Sequence, residues 1–491
     1  MPLPAVRLPA KYYAFLSHFG APDNPEDLPR TKALLDDLAR LRSTTCDWAY
    51  PLYELVRRAR IAETGELLTA AAWAGRVDLQ ALPRLDLSAF DPWVAASAAR
   101  GMTRFEINVD SVNTWREQTA IREATGRDLD PNTEDGWKVV LWLYSELRRY
   151  ALSRGMESTW AKVDDEIPPE QIPTWIAGAR RFQSIGYRTY TTVTGSIPRN
   201  EAWMNAMNPA SDGWQTSIVT SRDFLTLTRQ PLAYTTYRRK VDLRWGLYTN
   251  GGAKDTWATL QRFFPEPELV DQIEVWANGQ KMRWKGGSGW GNQERGVAME
   301  YGGHLYISLP DGGNPNQALI EVAYRVRQPV TEGPPAVQLD KTDEVWVYGG
   351  RTMPHRDEYT HGRRYGWLTL ALNVDGYGYW TYYWWQPEHR LVWYDEQTGV
   401  ITHSPAYEGL RDGNEDAAYV LELKRRTGEP GVDALAEALW KGAAAPLRLE
   451  ERKDGPYVWD DISADYAAFN LAKREVLRRL AALPDTGFGR D

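Results

Sequence analysis

The order of elements in this chain predicts an α/β protein, a (β/α)8 TIM-like barrel with an inserted all-β module and C-terminal helices. Three observations lead there. Short apolar strands alternate with amphipathic helices over 1–220, and strand then helix, repeated, means parallel strands. The periodicity changes to hairpin-rich alternation over 221–340. Strand–helix alternation then resumes after Pro335 and runs out into helices. At 491 residues the chain has room for one barrel of about 250 residues and further segments. The expected organisation is 1–220 for the first part of the barrel, 221–340 for the insertion, 341–430 for the last part of the barrel and 431–491 for a helical extension.

The first strand is expected at 12–19 and the first helix at 26–42, where Leu34, Leu35, Leu38 and Leu41 share one face. The stretch 43–60 is ambiguous and reads as a strand near 45–50 followed by a helix. Residues 102–110 alternate well enough for a buried strand. Asn132 precedes a helix over 134–153, with Val139, Leu143, Leu147 and Tyr150 aligned. A strand follows at 159–164, then a helix at 173–184 stopped by Gly186, and a β-branched strand at 187–194. A short helix at 198–207 and a strand at 214–219 complete the first part. After the insertion come a strand at 344–348, a helix at 357–372, an aromatic strand at 376–385 and a helix at 407–426. Helices at 432–441 and 462–480 close the chain. The region 45–50 supplies the eighth strand. An open doubly wound sheet is the competing architecture, but no Gly-x-Gly-x-x-Gly opens its first turn.

Within 221–340 a helical pattern is visible only around 256–263. Runs at 273–277 and 281–284 flank Asn278-Gly279, a strong hairpin signal. Runs at 304–309 and 318–326 flank Pro310-Asp-Gly-Gly313 and suggest another hairpin. The glycine run at 286–291 lacks the Gly-Lys-Ser/Thr ending of a phosphate loop, so it reads as a turn.

Composition narrows the function classes. The net charge of −8 provides no basic field to meet phosphates, so no nucleic acid is expected as a partner. Six His and one Cys leave no disulfide framework and argue against a His/Cys metal site, while carboxylate sites stay open. No run of 18 apolar residues exists, so no membrane span is expected. The first ten residues hold three prolines and no signal-peptide core, so the chain reads as cytoplasmic as it stands, secreted if a leader was removed. Nothing in the sequence addresses oligomeric state. There are 23 Trp and 26 Tyr against 10 Phe. Trp and Tyr join a flat apolar face to a polar handle, which suits stacking on a sugar ring, although strands favour them in any case.

In a barrel, catalytic groups sit at the C-terminal strand ends. The fourth strand runs straight into Asp164, Asp165 and Glu166, with Pro168 and Pro169 close behind. Crowded acids resist ionising together, so one can stay protonated as a general acid while its neighbour is a carboxylate. The plain alternative is a solvated acidic loop opening the next helix. Other strand-end candidates are His18, Asn108, Asp110, Tyr190, Tyr348, Trp380, Tyr382 and Trp384. Carboxylates, amides and aromatic walls suit glycoside hydrolysis, and Trp380, Tyr382 and Trp384 would share one strand face. A packed aromatic core would look the same.

The stretches Arg364-Tyr-Gly-Trp367, Gly376-Tyr-Gly-Tyr-Trp380 and Ser404 to Asp416 (SPAYEGLRDGNED) resemble the C-terminal barrel half of glycoside hydrolase family 123, the retaining β-N-acetylgalactosaminidases. The resemblance covers 100–220 and 340–427. It departs from the family in two ways: the β-sandwich that precedes the barrel there has no counterpart here, and a β-rich stretch interrupts the barrel. In that family an adjacent Asp-Glu pair ends the fourth strand, and Asp165-Glu166 matches it. The resemblance implies a β-N-acetylhexosaminide substrate and substrate-assisted catalysis, a reaction that requires no metal or cofactor. Asp165 would orient the 2-acetamido group, Glu166 would act as acid and then base, and Asp164 would stand behind them. Arg411, Asp412, Glu415 and Asp416 read as structural. An ordinary two-carboxylate glycosidase, with Glu344 or Asp110 as nucleophile, and a non-catalytic carbohydrate-binding barrel stay open. One geometric difficulty stands: in a regular strand Asp164 and Glu166 share a face and Asp165 turns away. An adjacent pair works only if the strand breaks into a bulge or loop at Asp165.

Overall fold

The computed structural model describes residues 4–14, 24–48, 50–69, 79, 81–193, 200–217, 221–242, 258–260, 263–264, 270–282, 296–300, 304–309, 318–350, 358–383, 390–395, 397–428, 449–450, 458–459 and 466–483. Eight strands form one parallel sheet: β1 (Ala10–Ala14), β2 (Thr45–Trp48), β3 (Arg104–Val109), β4 (Ser158–Asp165), β5 (Arg188–Val193), β6 (Gly213–Ser217), β7 (Glu344–Gly350) and β8 (Gly376–Tyr383). Their order around the sheet is 1-8-7-6-5-4-3-2, so each strand lies beside its neighbours in sequence and β8 returns to β1. The seam between β1 and β2 is drawn together where the Thr44 N–H donates to the Ala10 carbonyl at 3.0 Å and the Ala10 N–H donates to Thr44 Oγ1 at 3.0 Å. With helices between the strands, this is the predicted (β/α)8 barrel.

The ambiguous stretch supplies both β2 and a helix, α2 (Leu52–Arg58), after α1 (Leu28–Arg40). The first strand is described over Ala10–Ala14, beginning two residues before the expected 12; residues 15–19, His18 among them, lie outside the described residues. Two helices were not legible in the apolar spacing. Beyond a short α3 (Val94–Ala98), α4 (Trp115–Thr125) is rich in charge, and its start is set by a capping box in which Thr114 and Glu117 satisfy each other's backbone N–H groups. After α5 (Glu134–Ser153), α6 (Ile172–Ser184) and α7 (Glu201–Met207) comes α8 (Ser221–Arg229). Its Phe224 ring packs 5.6 Å from Trp214 of β6, so the sixth strand has its own helix and the β-rich stretch begins only at Leu232.

That stretch holds two sheets. One orders Gln280–Lys281, Val270–Ala277, Leu319–Pro329 and Leu232–Asp242; the other orders Ala258–Leu260, His304–Ser308 and Gly296–Glu300. The Asn278-Gly279 turn is present, with φ of 50° and 82°, both in the left-handed region that this hairpin turn needs. The expected hairpin across Pro310–Gly313 is not formed. Its two arms belong to different sheets. The expected helical turn near 256–263 is likewise replaced by the strand Ala258–Leu260, because pairing with His304–Ser308 overrides the local pattern. Phe264, Leu305, Ile307, Ile320 and Val322 make a core of their own, apart from the barrel's. Trp284 and Trp290 lie outside the described residues.

The last barrel helices, α9 (Glu358–Ala371) and α10 (Pro405–Thr427), touch backbone to backbone. A Cβ on Gly409 would lie 1.9 Å from the Tyr359 carbonyl oxygen, and one on Gly366 would lie 2.2 Å from that of Gly413. This contact explains the glycines of the 362–366 and 409–413 stretches. Acids of α10 hold buried or intrahelical ion pairs. Asp416 is buried and takes Arg363 at 2.8 Å and, from α11 (Tyr466–Ala482), Lys473 at 2.9 Å; Arg411 pairs with Glu408 at 2.6 Å on its own helix. The helix expected at 432–441 lies outside the described residues. Among the described residues no helix is long and apolar enough to cross a membrane.

Gly409→Ala must push α9 and α10 apart, because the clashing atom is backbone and cannot rotate away. Overpacking of this kind is expected to lose about 1–3 kcal/mol, read as a lower thermal midpoint. A midpoint equal to the parent's would mean that the two helices do not touch here.

Candidate active site

The barrel interior is polar. Lys11 of β1 lies between two acids, in contact with Glu106 of β3 and 3.6 Å from Asp47 of β2, and its side chain is 1% exposed. The Tyr190 hydroxyl donates to Glu106. Burial pushes Glu106 up, yet the nearby Lys11 and Arg104 outweigh it and hold this carboxyl below its ordinary value. For Asp47 burial wins and its pKa rises. Below them Arg104 stacks 3.8 Å over the Trp160 ring and 4.6 Å over Trp346. It also contacts Glu344, which pairs with Arg188 at 3.1 Å. A charge left unpaired at such depth would destabilise the barrel strongly, and this network leaves each of these with a partner. A cavity of about 10 Å³ lies among Lys11, Arg104, Glu106, Gln215 and Trp346, room for about one water and far too small for a sugar.

The mouth is built by an irregularity in β4. Lys162 faces Tyr190 of β5, but the next matched pair is Asp165 with Thr192, so β4 advances three residues where β5 advances two. That is a bulge, and it shifts alternation by one. Lys162 and Asp165 therefore point the same way, and the Lys162 Nζ donates to Asp165 Oδ1 at 2.8 Å. Asp164 is turned out. Its backbone has φ 53° and its Oδ1 accepts from the Ser111 N–H at 2.9 Å. Neighbouring elements satisfy the carbonyls of the bulge. The Trp175 indole N–H of α6 donates to the Val163 carbonyl at 2.7 Å, and the Thr191 hydroxyl donates to that of Asp164 at 3.1 Å. Glu166, at φ 50°, follows at once. Burial raises the pKa of Glu166, the charge of Asp165 raises it further, and Lys162 opposes both.

Three aromatic residues join this mouth. Tyr348 of β7 feels the charges of both Asp165 and Glu166. Its ring stands edge-on to Tyr13 of β1 at 5.8 Å, and Tyr13 packs 5.5 Å from Trp380 of β8. Tyr13 was not anticipated because the candidate from its strand was taken at the expected far end, at His18. Its hydroxyl donates to Gln215 at 2.7 Å.

The other anticipated residues fall in different places. Asn108 is at the end of β3 and donates to Asp47 at 3.1 Å. Asp110 stands just beyond, where burial, Glu117 and Asp164 push its carboxyl up to about 6. Tyr190 lies within the barrel, bonded to Glu106, rather than on a mouth wall. Tyr382 corrects the expectation of a shared face with Trp380. It is fully buried and donates to Asp37 of α1 at 2.6 Å, on the helix side of the sheet. β8 is irregular here, advancing from Tyr379 to Tyr383 while β1 advances only from Tyr12 to Ala14, so regular alternation does not run through Trp380 and Tyr382. Trp384 lies outside the described residues. Glu344 opens β7 and so sits at the N-terminal end of the barrel, opposite the mouth. It is badly placed for the nucleophile of a two-carboxylate reaction. Among the described residues no three of His, Cys, Asp and Glu stand together as a metal site requires.

Two solved structures are similar in outline. One is a family 123 glycoside hydrolase from Clostridium perfringens, at a TM-score of 0.47 and 9% identity, covering 97% of this chain and 70% of that one. The other is a class V chitinase from Pseudomonas fluorescens, at a TM-score of 0.30 and 8% identity, covering 83% of this chain and 99% of that one. No family model matches the chain, and no curated protein does. Likenesses this distant carry no weight for substrate or chemistry.

The electrostatics of the mouth make a direct prediction. Followed by carboxyl 13C NMR, Glu166 should titrate above the ordinary glutamate range. Asp165→Asn should bring it down without restoring the ordinary value, since burial remains. A Glu166 signal indifferent to Asp165 would separate the two groups.

Proposed function

We propose that this chain is a retaining exo-glycoside hydrolase that releases β-linked N-acetylgalactosamine by substrate-assisted catalysis. The observation that carries the reading is the β4 bulge. It turns Asp165 to the face of Lys162, where a regular strand would point it away, and this supports an acting pair with the next residue, Glu166. The raised pKa of Glu166 fits a group that must begin the cycle protonated.

In the proposed reaction the carbonyl oxygen of the substrate's 2-acetamido group attacks the anomeric carbon. The glycosidic C–O bond breaks, and Glu166 gives its proton to the departing oxygen. The acetamido N–H donates to Asp165, whose negative charge stabilises the oxazolinium ion as it forms. Water then adds to the anomeric carbon and returns a proton to Glu166, and the oxazolinium ring opens with overall retention. Tyr348, Trp380 and Asn108 are proposed to line the sugar site. No step calls for a metal or cofactor.

A panel of nitrophenyl β-glycosides tests the substrate class. Release from the N-acetylgalactosaminide is expected, with the N-acetylglucosaminide as the closest competitor. Cleavage restricted to sugars without a 2-acetamido group would overturn the mechanism, and cleavage of none would overturn the enzyme. Glu166→Gln should lose most activity on poor leaving groups and much less on an activated aryl glycoside, where acid help matters least.

Asp165→Asn cannot balance the positive charge of the oxazolinium, so kcat should fall by about two orders of magnitude or more with KM little changed. A thiazoline mimic of the cyclised sugar should inhibit the parent enzyme and bind this variant poorly. A fluorosugar adduct found on an Asp or Glu by mass spectrometry would replace this reading with the two-carboxylate one.

A further inference from the structure

We infer that Lys162 is a positioning residue that decides which of the two adjacent acids at the mouth is the anion: its buried ammonium holds Asp165 as the carboxylate and leaves Glu166 to carry the proton. The inference rests on the reaction proposed above and adds to it a residue that the acid pair alone does not supply.

The need for such a residue follows from the pair itself. Two neighbouring carboxyls at one strand end repel, so only one ionises readily, but repulsion is mutual and does not select which. The reaction works only with Asp165 ionised and Glu166 protonated; the reverse arrangement has neither an acid for the leaving group nor a charge for the oxazolinium. A cation held closer to one acid than the other breaks this symmetry. Lys162 does so by a direct contact of 2.8 Å to Asp165, from a side chain 5% exposed against 52% for its partner. The cation is thus part of the barrel wall, while the acid it holds is open to a substrate.

The same bulge that presents Asp165 creates this contact. Residues three apart on a regular strand face opposite ways, and Lys162 would then share its face with Asp164. With the extra residue, Asp164 leaves for the Ser111 N–H and Asp165 takes its place over the ammonium. The bond uses Oδ1, so Oδ2 is the oxygen proposed to meet the acetamido N–H.

The surrounding charges leave Lys162 to this task. From β1 it faces Lys11, which repels it, and the Tyr13 ring, 5.1 Å from its ammonium; from β3 it faces Glu106, which attracts it. Asp47 of β2 also feels Lys162. Those two acids are in turn held by Lys11. On its own strand Lys162 meets Asp165 directly and Glu166 at longer range. The groups that β5, β6 and β7 bring to this region, Tyr190, Gln215 and Tyr348, are neutral at neutral pH. Burial lowers the pKa of Lys162, and Asp165 is the strongest influence holding it up.

Two measurements test the inference. The first needs no substrate: the Lys162 side chain is followed through its 13Cε NMR signal against pH. Asp165→Asn should lower its midpoint further, because the partner that favours the charged form is gone. A midpoint unmoved by Asp165→Asn would overturn the pairing. The second is the pH profile of kcat/KM for Lys162→Met. Without the cation both acids ionise less readily, so both limbs should move to higher pH. The acidic side moves more, since the contact is with Asp165. The rate at the acidic end should fall about tenfold more than the rate near neutrality. Lys162→Arg, which keeps the charge, should leave the limbs in place even if the rate drops. A loss equal at every pH would mean that Lys162 only supports the fold, and would overturn the inference. Should Lys162→Met fail to fold, Lys162→Gln is read in the same way. If the lysine signal responds as expected but no acetamido glycoside is cleaved by the parent enzyme, the pairing stands and the proposed reaction falls.

Discussion

Everything at the mouth of the barrel depends on one backbone irregularity, the extra residue that β4 carries against β5. It reverses the faces of the residues that follow. Asp164 becomes a bracket for the loop after β3, and Asp165 turns to the face of Lys162. A bulge frees backbone groups, and freed groups are costly when buried. Here Trp175 and Thr191 take them up, from α6 and β5. The distortion is thus held from two sides, as a site that must keep its geometry requires.

The interior beneath departs from the usual filling of such barrels. In place of stacked layers of branched aliphatic residues there are lysine, arginine, acids, tyrosine and tryptophan. Large polar side chains need room. Gly378 provides some of it: a Cβ there would lie 2.3 Å from the Gln215 amide. Gln215 accepts from both Tyr13 and Thr192, so β1, β5 and β6 are bonded together across the barrel axis. The upper end of this network is the Lys162–Asp165 contact, and its lower end is the Arg104, Arg188 and Glu344 cluster. A polar interior of this kind is a poor source of stability per residue, but it fixes side-chain directions by hydrogen bonds.

The barrel itself was legible in the sequence because strand and helix periods differ, and the alternation survives a long interruption. The acidic strand end was legible for the same reason. Which acid faces inward was not, since that rests on the left-handed backbone of Asp164 and Glu166, and neither is glycine. Tyr382 was misplaced as well: regular alternation does not run through Trp380 and Tyr382, where β8 runs ahead of β1. Lys162 carried no signal of its own, because a lysine inside a strand reads as an exposed face until a partner is known. Glycines at 362, 366, 409 and 413 were visible as a motif, but their reason is contact between two helices and not chemistry.

The β-rich stretch between β6 and β7 leaves and returns at one place. Leu232 lies opposite Pro329, and the ladder between those two strands runs unbroken to Asp242 and Leu319. Topologically, the long excursion is therefore a zipped stem with its two ends side by side. The entropy of bringing the ends of a loop together is settled inside the stem, and β6 and β7 need wait only for those two strands to pair. Seen from the barrel, the detour separates its sixth and seventh strands by little more than a short hairpin would. A chain that is far from contiguous in sequence can in this way fold its barrel as though it were nearly so.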